Sequence, residues 1–260
     1  MRASTVWLLR YLHRLSDYRR SRRSDQHLGY VLAFVAGAVN AGGFLAIGQY
    51  TSHMSGIVSS MADHLALREF APALAALAAW LAFVAGAVTT ALLINLARRR
   101  GLRSQFALSL LVEAGLLLLF GLAGANLADM REFLAPLTVL LLCFIMGLQN
   151  AIITKASGAV IRTTHVTGLS TDLGIELGKL FYYNRRELPE LTVRANRSKL
   201  MLHALLIAYF FGGGLAGALG FKHIGYKVTI PLAVCLALLA MGPILTDLRS
   251  RWKAHRSGGV

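Results

Sequence analysis

Two short segments of this chain pair a histidine with hydroxyl side chains and a glycine at the same spacing. Thr51-Ser-His-Met-Ser-Gly56 matches Thr163-Thr-His-Val-Thr-Gly168. A glycine flanked by Ser and Thr is typical of extended backbone that turns into a helix, and Ser55 and Thr167 are predicted to cap those helices. The free N–H groups and the positive dipole end of a helix start favour anions. Gly56 and Gly168 would let a ligand approach the backbone, so both segments predict binding.

The two histidines, His53 and His165, occupy matched positions in these segments. Near neutral pH an imidazole changes charge easily, so the pair predicts a ligand contact or a proton relay; the alternative is two packed, hydrogen-bonding histidines. Ser55 with a histidine superficially resembles an intramembrane serine hydrolase. A catalytic serine has no reason to be duplicated with Thr at the equivalent position. We therefore predict no catalytic residue and no enzyme activity.

Three further polar residues flank the repeated segments. Asn40 and Asn150 each lie near the end of the apolar stretch that precedes a segment, and we expect them at the binding site. Asn150 is predicted to hydrogen-bond either a substrate or the backbone of the segment. Arg162, just before the second segment, either attracts anions or contributes to the basic character of one membrane face.

The acidic residues inside apolar or half-apolar stretches are candidates for coupling a solute to a proton. Glu113 is isolated within 108–117, where a carboxylate is expensive, and it either couples or bonds a neighbouring helix. Asp172 and Glu176 share a helix face, with Lys179 three residues further on, which indicates either a coupling group or an internal ion pair. The two cysteines lie in apolar runs, and neither a metal nor a cofactor is predicted.

The composition sets the class of protein that carries these residues. Hydrophobic residues make up 56% of the 260 and charged residues 15%, against about 25% charged in soluble domains. Lipid must therefore cover part of the surface, which excludes a soluble enzyme and a disordered chain. We predict an all-α polytopic membrane protein with six transmembrane helices plus two re-entrant half-helices. The six stretches are 28–49, 73–97, 105–126, 133–154, 200–221 and 226–247, and the shorter ones are 54–67 and 166–183.

The distribution of basic residues predicts the orientation. Four segments, at 1–27, 98–103, 185–199 and 249–256, hold 20 of the 27 Lys and Arg residues, and the other three connections hold four. Six crossings place all four segments in the cytoplasm, with both termini, whereas eight would move 98–103 outside. The net charge of +15 is thus explained by loops, and no nucleic-acid partner is predicted.

The repeated segments divide the chain into two halves. The first repeat is 28–127, with a re-entrant part at 50–67, and the second is 132–247, with a re-entrant part at 160–183. A basic N-terminal segment (1–27) and a basic tail (248–260) flank them. Three crossings per half predict an inverted repeat, the architecture of many secondary transporters. The octapeptide Leu-Ala-Phe-Val-Ala-Gly-Ala-Val, at 32–39 and 81–88, predicts a small-residue face for close helix packing.

Four stretches carry a family resemblance: Ala36-Gly-Ala-Val-Asn-Ala41, His53-Met-Ser-Gly56, Gly147-Leu-Gln-Asn-Ala151 and 163–172. With them the chain resembles the YoaK-like family of bacterial inner-membrane proteins over nearly all of 28–248. The resemblance implies a multi-pass protein of the bacterial cytoplasmic membrane, often described as a small transporter, and supplies no substrate.

The predicted function is secondary transport of a small, anionic solute held near the membrane midplane between two half-helix starts. The alternative is a membrane scaffold or lipid-binding protein that does not transport. The expected partners are the lipid bilayer and a small-molecule solute, and a homo-oligomer is left open.

Overall fold

A computed structural model describes residues 21–125, 131–183 and 192–257 of the chain. These residues fold into α-helices joined by short loops and contain no β-strand. The first-half helices are α1 (Arg22–Ile47), α2 (Met54–Ala66), α3 (Phe70–Arg99) and α4 (Ala107–Ala125). The second-half helices are α5 (Arg131–Ala156), α6 (Val166–Phe181), α7 (Arg197–Ile224) and α8 (Thr229–Ser257), with a 3-10 turn, Gly225–Val228, between α7 and α8.

Five stretches are long and apolar enough to cross a membrane: Arg22–Ile47, Phe70–Arg99, Ala107–Ala125, Leu134–Ala156 and Arg197–Ser250. The last is 54 residues long and contains α7 and most of α8, which separate at Gly225, where φ is 62° and ψ is −149°. The all-helical class is thus confirmed, and the number of long apolar helices is consistent with a multi-pass membrane protein. The two shorter helices, α2 and α6, have 13 and 16 residues, too few for the roughly 20 that a crossing needs.

Helix α1 makes its most extensive contact with α7, a helix of the second half. Tyr30 stacks on Tyr209 with ring centroids 5.3 Å apart. Contacts advance in the same direction along both helices, so the two run parallel: Gly29 with Leu206, Phe34 with Gly213, Ala38 with Gly217 and Gly42 with Phe221.

Helices α3 and α5 form the matching pair. Gly86 lies against the carbonyl of Phe144, Gly147 against that of Phe83, and the Thr90 hydroxyl donates to the Leu148 carbonyl at 3.0 Å. Residues 72–79 of α3 and 135–140 of α5 line a common cavity nearer their N-terminal ends, so this pair is also parallel.

Four glycines allow these close approaches. A methyl group on Gly37, Gly86, Gly147 or Gly213 would meet a main-chain oxygen of the facing helix, at Phe210, Phe144, Phe83 and Phe34 respectively. Both copies of the octapeptide supply a Phe and a Gly to these contacts. The predicted packing role of the octapeptide is confirmed.

Helices α1 and α5 run in opposite directions. Gly29, near the start of α1, lies beside Ile161, beyond the end of α5, whereas Gly43, near the end of α1, lies beside Leu142 in the middle of α5. The start of α1, the end of α5 and the start of α7 also share a small cavity. Because α3 is parallel to α5, the end of α3 lies at this same end of the bundle.

The end of α8 joins this group through a carboxylate. Asp247 accepts hydrogen bonds from the backbone N–H groups of Arg103 and Ser104, at 3.0 and 2.9 Å. The described parts of all four basic segments therefore lie at one end of the bundle. Elsewhere α4 packs on α8 and α5, while α2 and α6 each pack on the long helix that follows them.

Candidate functional site

Each repeated segment leads into a short helix whose first helical residue follows the histidine. His53 (φ −90°, ψ 68°) precedes α2 and His165 (φ −85°, ψ 57°) precedes α6, and neither side chain caps its helix. The prediction that Ser55 and Thr167 are the caps is therefore wrong: both lie one position inside the helix, with exposed side chains. Their hydroxyls cannot reach the first-turn amides as a residue outside the helix would.

The first-turn amides consequently remain available. The main-chain N–H groups of Ser55, Gly56, Thr167 and Gly168 find no backbone acceptor in the described part of the chain. Free N–H groups at a helix start are the donors that bind anions. The two helix starts therefore have the free N–H groups on which the predicted anion binding depends.

Each segment is held by an asparagine from the preceding long helix. The Asn40 Oδ1 accepts from the Ser52 hydroxyl at 3.1 Å and from the Ser52 main-chain N–H at 3.3 Å. The Asn150 Oδ1 accepts from the Thr164 hydroxyl at 2.9 Å, and its Nδ2 donates to the Met146 carbonyl at 2.8 Å. The matched asparagines thus hold matched hydroxyl residues, which favours the anchoring role that the sequence left open for Asn150.

The spacing of histidine and glycine that the two segments share has a local explanation. A Cβ on Gly56 would contact the His53 ring, 2.7 Å from its Nε2, and a Cβ on Gly168 would contact the His165 ring. Each glycine therefore leaves room for the imidazole three residues earlier. Its role differs from the predicted approach of a ligand to the backbone.

The two segments line one cavity. Its volume is about 780 Å³, within the range of about 300–1,000 Å³ that small-molecule sites occupy. Its walls contain six predicted site residues from both halves, which the structure brings together: Asn40, His53, Ser55, Asn150, His165 and Thr167. Gly56 and Gly168 follow the wall residues Ser55 and Thr167 in the chain and are not themselves part of the wall.

Sequence reasoning did not identify Phe83, Phe210 or Tyr50 as part of this wall, whereas it weighed Arg162 as a residue that attracts anions. Phe83 and Phe210, whose main-chain oxygens contact Gly147 and Gly37, present apolar surface to the cavity. Each lies two residues before a pair of small residues, Ala85-Gly86 or Gly212-Gly213, and this repeated position is a sequence signal for them. Tyr50, half exposed, and Arg162 lie at matched positions just before the two segments and also line it.

Arg162 gives the cavity a fixed positive charge. Its Nη1 lies 3.5 Å from the His165 Nδ1, a long contact in which the guanidinium donates and the imidazole accepts. The matched Tyr50 carries no charge, so the cavity is electrostatically asymmetric. A guanidinium with free donors is suited to oxyanions.

The acidic residues predicted to couple a proton do not line the cavity. Asp172 is exposed on α6. Glu176 is buried, accepting from the Lys179 ammonium at 2.9 Å and from the Asn196 main-chain N–H at 2.6 Å. The Asn196 hydrogen bond, then that of Lys179, lowers the pKa of the Glu176 carboxyl. Of the two predicted roles for Glu176, the contacts favour the internal ion pair.

Glu113 is fully buried on α4 and faces Gln149 of α5. It too lies away from the cavity wall, although Gln149 is the neighbour of Asn150. In the described residues no cluster of three or more His, Cys, Asp or Glu side chains could hold a metal ion.

Comparison with known proteins identifies the family of the chain. The model of a family described as "Protein of unknown function (DUF1275)" matches residues 28–242. No curated protein and no solved structure matches the chain significantly. The narrower YoaK-like resemblance stays a prediction. Because the match covers the helices of both halves and the whole cavity wall, the chain belongs to the DUF1275 family.

Proposed function

We propose that this protein is a secondary transporter that carries a small anion through the cavity between its two repeated segments. The observation that carries the proposal is the single cavity of about 780 Å³ lined by matched histidines and hydroxyl residues from both halves. Free helix-start amides and the Arg162 guanidinium favour negative charge on the solute. Phe83 and Phe210 supply apolar surface suited to a small organic anion.

The direction of the helices supports an inverted repeat with two re-entrant helices. If α2 crossed the membrane, three crossings would separate α1 from α5, and the two would run parallel. They run antiparallel, which requires an even number of crossings between them, namely α3 and α4. The pairing of α1 with α7 and of α5 with α3 follows the same two-fold pattern.

The depth of the motifs supports a site away from both membrane faces. Asn40 lies seven residues before the end of α1, and Asn150 six before the end of α5. At 1.5 Å per residue, the asparagines anchor the segments about 10 Å inside opposite ends of the bundle. The basic end is assigned to the cytoplasm, with the multi-pass protein in the bacterial inner membrane.

The roles of the residues follow from the chemistry of the wall. The amides of the α2 and α6 starts bind the anion, and the Ser55 and Thr167 hydroxyls donate to it. His53 and His165 contact the solute and exchange protons with it. The asparagines hold the segments in place, and no group acts on a covalent bond, so the protein is not an enzyme.

The test is uptake by the full chain in proteoliposomes. Radiolabelled sulfate, phosphate, formate and acetate are supplied separately, with protein-free liposomes as the control. The proposal expects protein-dependent uptake of at least one of these anions. It also expects a loss of about fivefold in affinity for Arg162→Gln, the factor for about 1 kcal/mol of exposed charge contact.

A matched variant separates the cavity charge from general surface charge. Arg98→Gln removes one exposed arginine outside the cavity and should leave uptake unchanged. Equal effects of the two substitutions, or no uptake of any anion of the panel, would contradict the anion-transport proposal and favour a scaffold or lipid-binding role.

A further inference from the structure

The centre of the bundle contains buried polar atoms without a hydrogen bond to any described residue. Both Glu113 carboxyl oxygens, both side-chain polar atoms of Gln149 and the Ser109 hydroxyl are buried without a hydrogen bond in the described structure. Glu113 and Ser109 are one turn apart on α4, and Gln149 faces Glu113 from α5. A buried polar atom that stays unpaired destabilises the folded protein, because it has lost its hydrogen bonds to water without replacement.

The described residues around Glu113 offer no compensating charge. From α8, the Cys235 thiol interacts electrostatically with the carboxyl group, and from α5 the neutral Gln149 side chain faces it. Among the described side chains, neither α3 nor the 3-10 turn places a charged group against it. An ionised carboxylate would therefore be uncompensated in a region that lipid surrounds.

A neutral Glu113 carboxylic acid removes both the unpaired polar atoms and the uncompensated charge. Its O–H can donate to the Gln149 Oε1, and its carbonyl oxygen can accept from the Gln149 Nε2. This reciprocal pair satisfies the atoms of both side chains and joins α4 to α5. The pairing exists only in the protonated form, because an ionised carboxylate has no donor for Oε1.

We propose that Glu113 is a proton-binding site of this protein, and that Gln149 transmits its protonation state to the second repeated segment. The release step is simple: the O–H bond of Glu113 breaks, its electron pair stays on the carboxylate, and the proton leaves to water. The Gln149 Oε1 then loses the hydrogen bond that the Glu113 O–H donated to it. The proton as coupling ion rests on the proposed transport function, whereas the proton site itself does not.

The path from Glu113 to the cavity is short. Gln149 precedes Asn150, whose Oδ1 holds Thr164 on the cavity wall at 2.9 Å. In the first half Val39 precedes Asn40 and has no hydrogen-bonding side chain. Protonation should therefore affect the second segment and leave the first unchanged, which gives an internal control.

The proton site is tested by infrared spectroscopy of the full chain in lipid nanodiscs at neutral pH. Exposed carboxylates are ionised there, so the carbonyl band of a protonated acid should come from Glu113. The band should vanish in Glu113→Gln, in which an amide replaces the acid without removing the pairing, and persist in Asp172→Asn. No such band in the wild type, or its loss on adding sodium at constant pH, would overturn the proposal, the second result indicating a cation site.

The transmission step is tested with cysteine reporters in a Cys143→Ala, Cys235→Ala background. Thr167→Cys and Ser55→Cys are labelled by a thiol reagent across a pH series, each with and without Glu113→Gln. Comparing the two backgrounds at each pH cancels the titration of the thiol itself. We expect a change of about fivefold at Thr167 when Glu113 ionises, equivalent to one hydrogen bond, and none at Ser55. Identical labelling of Thr167→Cys in both backgrounds would overturn the transmission, whatever the outcome of the transport assay.

Discussion

Two adjacent glycines of α7 should respond in opposite ways to the same substitution. A Cβ on Gly213 would lie 2.8 Å from the Cα of Phe34 and would meet its carbonyl oxygen, whereas a Cβ on Gly212 has nothing within 4 Å. Both substitutions gain the same helix propensity, about 1 kcal/mol for Gly→Ala. Only Gly213→Ala forces α1 and α7 apart.

The magnitude follows from the kind of atoms that collide. Carbon atoms in contact lie about 3.5–4.0 Å apart, so α7 must move by about 1 Å. Main-chain atoms cannot rotate aside as a flexible side chain would, and overpacking costs about 1–3 kcal/mol. Because the propensity gain cancels between the two variants, this cost is the expected difference in their free energies of unfolding.

The assay is thermal unfolding of the full chain in one detergent. A difference of about 2 kcal/mol corresponds to about 6 °C in Tm for a protein of this size, with Gly213→Ala below the wild type or near it and Gly212→Ala above it. Gly86→Ala, the matched position on α3, should behave like Gly213→Ala. Equal Tm values for Gly212→Ala and Gly213→Ala would refute the close α1–α7 contact on which the helix directions depend.

Three further predictions concern orientation, pH and the anchors. In a background lacking both cysteines, Arg100→Cys and Ser198→Cys should resist an impermeant thiol reagent in intact cells, whereas Leu67→Cys should be labelled; labelling of Arg100→Cys with protection of Ser198→Cys would instead support eight crossings. Because its pKa is lowered on folding, Glu176 stabilises the protein above its ordinary value near 4.5, and this contribution is lost as pH falls through the folded pKa. The Tm of Glu176→Gln should therefore fall less steeply in acid than that of the wild type, and parallel curves would contradict the buried ion pair. Asn150→Leu leaves the buried Thr163 hydroxyl and Thr164 without their acceptor and should weaken anion binding about tenfold, measured by the solute dependence of uptake; unchanged affinity would remove its anchoring role.

The sequence predicted the helices well because their determinants are local. A crossing needs about 20 apolar residues, and α3 and α7 each begin and end within three residues of the predicted stretches. The starts of α2 and α6 were also predicted, at 54 and 166, because the polar segments interrupt the apolar pattern. The apolar residues of 6–15 recur at helical spacing and predict either a basic amphipathic helix or a solvated tail, and this prediction lies outside the described residues.

The details of the site depended on contacts that periodicity does not contain. The capping prediction for Ser55 and Thr167 was wrong because each helix begins directly after its histidine, at Met54 and Val166, so both hydroxyl residues lie inside the first turn. The charge of Arg162 has no counterpart at the matched Tyr50 of the first half, and the place of Arg162 on the cavity wall results from the turn after α5. Glu176 was predicted to be either a coupling group or an ion pair, and only the fold brings Asn196 to it.

The central claim is that the two repeated segments share one cavity, and cross-linking tests it without knowledge of the solute. Ser55→Cys and Thr167→Cys are combined in the cysteine-free chain, reconstituted into proteoliposomes and treated with a short bifunctional thiol reagent. The control pair, Ser55→Cys with Gly178→Cys, places the second thiol 11 residues along α6, about 16 Å further from the α6 start. The shared cavity predicts an efficient cross-link within one chain for the first pair and little for the control. A cross-link in the control pair and none between positions 55 and 167 would contradict it.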